Sequence, residues 1–214
     1  MKLYTVQVAP NPTKVELYLA EKVAKGIPDE IERVKVRLTK GEQNEPPHLA
    51  RNPFGSIPVL EMGEGDYLIE SHAIIEFLEE FYAANFPTSS MWGEALLDRA
   101  RNRDYGGIAD ARILMPLGRY IHATNSPIGL PRSDDIANAA LPQLDRGFAY
   151  FDKLLSDRRD YIGGDQPTVA DCTLAAAMQF GRFGGFELDE KYSYVAKWDQ
   201  RFRARATAQS VLVT

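Results

Sequence analysis

A proline in second place in a short apolar run, Ile57-Pro58-Val59-Leu60, limits the folds that are open to this chain. Proline lacks a backbone N–H, so a strand that begins with it belongs at a sheet edge or a tight bend. The bond before proline adopts the cis form at a cost of only about 0.5–1 kcal/mol. We therefore predict a cis bond between Ile57 and Pro58. It would turn the Ile57 N–H and C=O outward as a strand-like edge for a peptide ligand.

The residues after this run predict a β-hairpin and then a helix. Gly63-Glu64-Gly65 is a turn sequence, Tyr67-Leu68-Ile69 is a second apolar run, and Glu70-Ser71 opens an amphipathic segment. Ser71 is expected at or near the helix N-terminus, where free N–H groups and its hydroxyl suit a carboxylate. One stretch of chain thus offers a clamp for a peptide backbone beside an anion-binding site.

Hydrophobic periodicity divides the chain into two parts. The first part is predicted to contain a strand, a helix, a strand, a loop, a hairpin and a helix, at 2–6, 12–24, 31–38, 39–54, 57–69 and 71–82. The second has helical spacing throughout, at 93–122, 133–156, 168–183 and 191–205. Strands first and helices afterwards predict the α+β class, with an α+β domain at 1–83, a linker at 84–92 and an all-α domain at 93–214.

Composition excludes several classes of protein. The 214 residues are 44% hydrophobic, and a formal net charge of −5 with scattered basic residues argues against a nucleic-acid partner. No apolar stretch approaches the ~20 residues of a membrane span, and the N-terminus lacks the apolar core of a signal peptide. A single cysteine fits a reducing compartment, and the three histidines lack the spacing of metal ligands. We expect a cytoplasmic protein without metal, nucleic-acid or membrane partners.

Several segments, in order along the chain, resemble the glutathione transferase family. They are Lys2-Leu3-Tyr4-Thr5-Val6 with Pro10-Asn11-Pro12-Thr13-Lys14-Val15, Lys40-Gly41-Glu42-Gln43, the hairpin with Glu70-Ser71, Pro167-Thr168-Val169-Ala170-Asp171, and Lys197-Trp198 to Arg205. Each motif is weak alone, but in this order they extend over nearly the whole chain. The resemblance implies a thioredoxin-like N-terminal domain, an all-helical C-terminal domain, glutathione as co-substrate and a homodimer.

The resemblance also implies which residues bind glutathione. Gln43 stands where relatives carry a residue that contacts the glycine carboxylate, and Lys40 is a second candidate for that carboxylate. Glu70 would accept from the γ-glutamyl ammonium while Ser71 donates to its carboxylate; the alternative for this pair is an N-cap with an acidic neighbour. The full predicted set is Lys40, Gln43, Ser56, Ile57, Pro58, Glu70 and Ser71.

The family activates the glutathione thiol, and this chain departs from the family pattern at the activating residue. In the serine- and cysteine-type classes a donor follows the first strand, but Ala9 occupies that position and cannot donate. Thr5, Asn11 and Thr13 remain as candidate donors, whereas Tyr4 is expected in the core. Asn11 resembles the donor of the atypical Nu-class branch; the alternative for Asn11 is a helix N-cap. We predict Asn11, with Thr5 second.

Relatives build a pocket for the electrophile on the long helix after the linker. The candidates here are Tyr105, Arg112, Tyr120 and His122, with surface or interhelical positions as the alternative. Thr168 to Asp171 is predicted to be a capping box, and Cys172 a buried apolar residue.

The resemblance implies a glutathione transferase that acts on a small apolar electrophile. Two alternatives stay open. A disulfide could be the second substrate, which would make the protein a glutathione-dependent disulfide-bond reductase. The protein could also be a non-catalytic glutathione-binding or regulatory member of the family, for which Ala9 is the best support.

Overall fold

The computed structural model describes residues 1–87 and 90–213. A four-stranded sheet lies in the first part of the chain, in the order β2-β1-β3-β4. Strands β1 and β2 are parallel, and β3 is antiparallel to both β1 and β4. The strands are β1 (Lys2–Thr5), β2 (Glu32–Lys35), β3 (Val59–Gly63) and β4 (Asp66–Leu68).

Nine α-helices lie in the described residues. Those of the first part are α1 (Pro10–Ala24), α2 (Pro46–Leu49) and α3 (Ser71–Ala83). Those of the second part are α4 (Leu96–Ile108), α5 (Met115–Thr124), α6 (Asp134–Leu154), α7 (Val169–Phe183), α8 (Ser193–Arg203) and α9 (Ala206–Gln209). A mixed sheet with helices, followed by helices alone, confirms the prediction of an α+β protein with a thioredoxin-like N-terminal domain.

The long helix predicted over 93–122 is divided. Helix α4 passes into a π-helical turn at Ala109–Leu114 and then into α5, in which Pro116 is the second residue. A proline ring clashes with the carbonyl four residues earlier in a regular α-helix, and a widened turn relieves that clash. The helix type therefore changes just before Pro116.

Helix α7 is the centre of the helical part, and α1 packs against it. Every residue from Val169 to Gly181 is buried, as expected for a helix surrounded on all sides. Thr168 and Asp171 form the predicted capping box at its start, and Cys172 is fully buried as predicted. Burial raises the pKa of the Cys172 thiol well above its ordinary value, so it is not a reactive thiolate.

Strand register brings three segments to one end of the sheet. Tyr4 of β1 is opposite Val59 of β3, and Leu68 of β4 is opposite Leu60. The end of β1, the start of β3 and the end of β4 are therefore neighbours. The loop to α1, the Ile57-Pro58 bend and the start of α3 consequently lie close together.

The boundaries at 1–83, 84–92 and 93–214 remain a proposal, and residues 88 and 89 of that linker lie outside the described residues. Within the described ranges, none of the helices combines the length and the apolar character needed to span a membrane.

Candidate active site

The N-termini of α1 and α3 meet through one hydrogen bond. The Ser71 hydroxyl donates to Asn11 Oδ1 across 3.2 Å, although 60 positions separate the two residues. Ser71 is the first residue of α3 and is buried, and Glu70 precedes it as an exposed N-cap whose side chain makes no capping bond. The Asn11 Oδ1 accepts this bond, so its amide N–H groups are left to donate elsewhere.

Helix α1 begins at Pro10 rather than at residue 12, and this corrects the interpretation of Asn11 as an N-cap. Ala9 occupies the N-cap position, and Asn11 is the second helical residue. Pro10 and Pro12 have no N–H, and the N–H of Thr13 donates to the Ala9 carbonyl at 3.0 Å. In this first turn the backbone N–H left for a ligand is therefore that of Asn11.

Two residues that sequence reasoning did not assign to the site stabilise the bend before β3 through hydrogen bonds. His48 Nε2 donates to the Ser56 carbonyl at 3.0 Å, and Asn52 Nδ2 donates to the same oxygen at 2.9 Å. His48 is 3% exposed and Asn52 is fully buried. The peptide bond between Ile57 and Pro58 is cis, as predicted. The sequence signal that could have identified this support is the turn Asn52-Pro53-Phe54-Gly55, which Asn52 begins and in which its Oδ1 accepts from the Phe54 N–H.

The segment that carries Gln43 packs against the same bend. Gly55 has φ of +61°, and a Cβ there would lie 3.0 Å from Asn44 Oδ1 and 3.1 Å from the Gln43 carbonyl. Only glycine fits both this conformation and this close approach. Gln43 Oε1 is buried and has no hydrogen-bond partner among the described residues, whereas Lys40 is exposed one turn earlier. Gln43 thus lies beside the bend.

A charged cluster that the sequence did not predict links the two parts beside Ser71. The Lys14 ammonium is 2.7 Å from Asp110 Oδ1, and His72 Nε2 is 3.5 Å from Asp110 Oδ2. Burial lowers the pKa of Lys14. Burial also acts to raise the Asp110 pKa, but His72 and the Lys14 ammonium together bring it down to about 2. Asp110 therefore stays ionised and holds α1 against the π-helical turn.

A cavity of about 560 Å³ opens beside Asn11, between α1 and the helical part. Of the four electrophile-pocket candidates, His122 lines it. His122 Nδ1 is 3.0 Å from the Ser126 hydroxyl, and burial lowers the pKa of the imidazole, so it is neutral at pH 7. The lining residues are Pro10, Asn11, Leu114, Met115, Gly118, Arg119, His122, Ala123, Leu130, Pro131, Ile136 and Phe180.

The other three candidates lie elsewhere and do not line this cavity. Tyr120 packs edge-to-face on Phe186, with ring centroids 5.4 Å apart. Arg112 is exposed on the π-helical turn, and Tyr105 interacts with Arg159. Arg112 thus has a surface position, and Tyr105 and Tyr120 contact other side chains of the helical part, in agreement with the alternative given for these residues.

Thr5 and Thr13 line a different cavity of about 310 Å³, which does not include Asn11. Tyr4 is buried and its hydroxyl donates to Glu61 at 2.7 Å, as expected for a core residue. Of these three candidate donors, Asn11 is the one that hydrogen-bonds to Ser71 among the described residues. Within residues 1–87 and 90–213, no group of three or more His, Cys, Asp and Glu side chains is placed to hold a metal ion.

Comparison with known proteins gives matches along most of the chain. Residues 9–80 match the family model for the glutathione S-transferase N-terminal domain, and residues 110–206 match that for the C-terminal domain. Glutathione S-transferase 2 of Saccharomyces cerevisiae is 28% identical over 99% of this chain and 89% of its own length. Glutathione S-transferase F11 of Arabidopsis thaliana is 30% identical over 84% of this chain and 81% of its own. The crystal structure of Gtt2 from Saccharomyces cerevisiae superposes with a TM-score of 0.87 at 26% identity, over 99% of this chain and all of that one.

Proposed function

The chain belongs to the glutathione S-transferase family, and from this premise we propose that Asn11 activates the thiol of bound glutathione for attack on an electrophile in the adjacent cavity. Glutathione is the co-substrate in this family. The observation that carries the proposal is the Ser71–Asn11 hydrogen bond, because it joins an anion-binding helix start to a side-chain amide with free N–H groups. The amide lines the cavity into which an electrophile would bind.

Glutathione would lie along the start of β3. Its cysteinyl unit would pair with the Ile57 backbone, whose bend is held by buried His48 and Asn52. Its γ-glutamyl group would be bound by Glu70 and by Ser71 with the N–H groups that begin α3. Its glycine carboxylate would lie towards Gln43, with Lys40 nearby.

Thiol activation requires stabilisation of the anion. A thiol pKa near 8.5 leaves only a few per cent of thiolate at neutral pH, and a decrease of two units corresponds to about 2.7 kcal/mol. The Asn11 amide and the Asn11 backbone N–H can both donate to a sulfur placed at the start of α1. Ala9 contributes no side-chain donor. The thiolate then forms a C–S bond as the leaving group departs with its bonding electrons.

A turnover assay with 1-chloro-2,4-dinitrobenzene, together with a titration of glutathione by calorimetry, tests the proposal. Turnover that saturates with glutathione supports a transferase. If the protein binds glutathione but catalyses no thiol reaction, the non-catalytic alternative that Ala9 suggests would be favoured. Preferential turnover of bis(2-hydroxyethyl) disulfide, with formation of oxidised glutathione, would favour the disulfide reductase.

The Ser71 hydroxyl has one proton, which it donates to Asn11 Oδ1 in this structure and would donate to the γ-glutamyl carboxylate when glutathione binds. Replacing Ser71 by Ala removes that charge-assisted bond and is expected to weaken glutathione binding by roughly 1–3 kcal/mol. Unfolding free energy should fall by less than this, since Glu70 rather than Ser71 is the N-cap of α3. Calorimetric titration measures the affinity, and urea denaturation the stability. The exposed Ser156, whose hydroxyl donates to the Lys153 carbonyl, serves as the control position. Equal glutathione affinities for wild type and Ser71→Ala would remove Ser71 from the binding site.

We also propose a cytoplasmic homodimer. Phe54 is 76% exposed at the tip of the bend before β3, and Phe81, Leu96 and Leu97 are exposed on α3 and α4. Exposed apolar side chains of this size are typical of surfaces that another chain covers. Light scattering coupled to size-exclusion chromatography measures the mass, and a Phe54→Glu variant should shift it towards that of the monomer.

A further inference from the structure

The cavity beside Asn11 contains one arginine among its lining residues, and its position follows from helix geometry. Met115, Arg119 and His122 are separated by four and three residues on α5, so they share one face of that helix. All three line the cavity, with Gly118 between them. Arg119 therefore lines the same cavity as Asn11.

The Arg119 guanidinium keeps most of its hydrogen-bonding capacity for a ligand. The side chain is exposed, and within the described residues its recorded bond is a long one, 3.5 Å to Gln143 Oε1. A guanidinium has five N–H donors in a planar fork that matches the two oxygens of a carboxylate. Nearly all of these donors stay available at the edge of the cavity.

No acidic side chain among the lining residues neutralises this charge. The other lining side chains are apolar except for the Asn11 amide and the neutral His122. Asp134, which begins α6, is paired with Arg132 at 2.9 Å. The cavity thus combines a mainly apolar wall with one positive charge.

We propose that the second substrate is an apolar electrophile that carries a carboxylate, and that Arg119 binds this carboxylate and sets the specificity. The inference rests on the transferase function proposed above and adds the chemical class of the substrate. Arg119 does not contact the reacting atoms. At the reacting carbon, the C–S bond to glutathione forms, the C–halogen bond of an aryl halide breaks, and halide leaves with the bonding pair.

Two aryl halides that differ in charge test this inference. The substrates are neutral 1-chloro-2,4-dinitrobenzene and anionic 4-chloro-3,5-dinitrobenzoate. For each, kcat/KM is divided by the rate constant of the same halide with glutathione in the absence of enzyme. Wild type is expected to prefer the benzoate, and Arg119→Gln to lose about 10-fold on the benzoate while changing little on the neutral halide. Arg119→Lys should recover part of the preference, since it restores the charge without the fork.

Arg112→Gln is the matched control, because Arg112 is exposed on the preceding turn and does not line the cavity. It should behave as wild type with both halides. The inference is overturned by an absent preference in wild type, by equal losses on both halides in Arg119→Gln, or by the same loss in Arg112→Gln.

Failure of the transferase function gives a different result. If neither halide turns over, calorimetric titration with 4-nitrobenzoate and nitrobenzene, with glutathione present, still measures the preference directly. Tighter binding of 4-nitrobenzoate that Arg119→Gln abolishes would support the anion site in a protein without transferase activity. Equal binding of the two probes would overturn it.

Discussion

Replacing Asn11 by Ala is expected to raise the pKa of enzyme-bound glutathione by about one to two units and to leave its affinity for the protonated form nearly unchanged. The hydrogen bond from the amide is stronger to the thiolate than to the thiol, so its loss falls on the anion. A pKa raised by this amount lowers the thiolate fraction at neutral pH by up to about 10- to 100-fold. The rate should recover as the pH rises towards the free-thiol pKa. The pH dependence of kcat and the ultraviolet absorbance of the bound thiolate measure the shift.

Two variants serve as controls for this experiment. Thr5→Val and Thr13→Val remove hydroxyls that line a separate cavity, so the pH–rate curve should stay at the wild-type position. An Asn11→Ala enzyme with an unshifted curve would contradict the assignment. The activating group would then be a backbone N–H, such as that of Asn11 itself, or an ordered water.

Replacing Asp171 by Ala is expected to lower the free energy of unfolding by about 3–5 kcal/mol, because several buried donors lose their acceptor and each one left unsatisfied costs about 1–3 kcal/mol. Asp171 Oδ1 accepts from the Ile162 N–H and the Trp198 indole, each at 2.9 Å. Its Oδ2 accepts from the Thr168 N–H and hydroxyl, each at 2.8 Å. All four donors would be left without this acceptor in a fully buried place, which costs far more than the ~1 kcal/mol of an ordinary helix cap. Urea denaturation measures the change.

A matched control lies on the same helix. Thr173 is equally buried, and its hydroxyl donates to the Val169 carbonyl at 2.9 Å. Thr173→Val removes one such bond without orphaning buried donors, so we expect a loss of about 1 kcal/mol. If Asp171→Ala were no more destabilising than Thr173→Val, the four bonds would not act as a unit.

The predictions that the structure supports in the candidate site depend on local signals. The cis Ile57-Pro58 bond, the hairpin after it and the helix that starts at Ser71 are specified by residues within a few positions of one another. The capping box at Thr168 and Asp171 is equally local, and the structure confirms it. A pattern in the chain predicts such features because the atoms that interact are close in sequence.

Helix limits were predicted less well where two signals compete. Pro12 suits the first turn of a helix, but Pro10 suits it too, and the helix begins at the earlier one. This shift of two residues changes Asn11 from a candidate cap into a residue with free amide N–H groups. A proline inside a helical pattern is expected to kink the helix, but Pro116 does not predict the π-helical turn that places Asp110.

The sequence by itself determined the α+β class, the order of strands and helices, and the family to which the chain belongs. Only the tertiary structure decided that Ser71 contacts Asn11, that Lys14 and His72 share Asp110, and that Arg119 rather than Arg112 borders the cavity. The physical reason is distance along the chain: Ser71 and Asn11 are 60 positions apart, and Lys14 and Asp110 are 96 apart. Periodicity and turn signals act over a few residues, whereas these pairings follow from how α1, α7, β1 and β3 pack against one another.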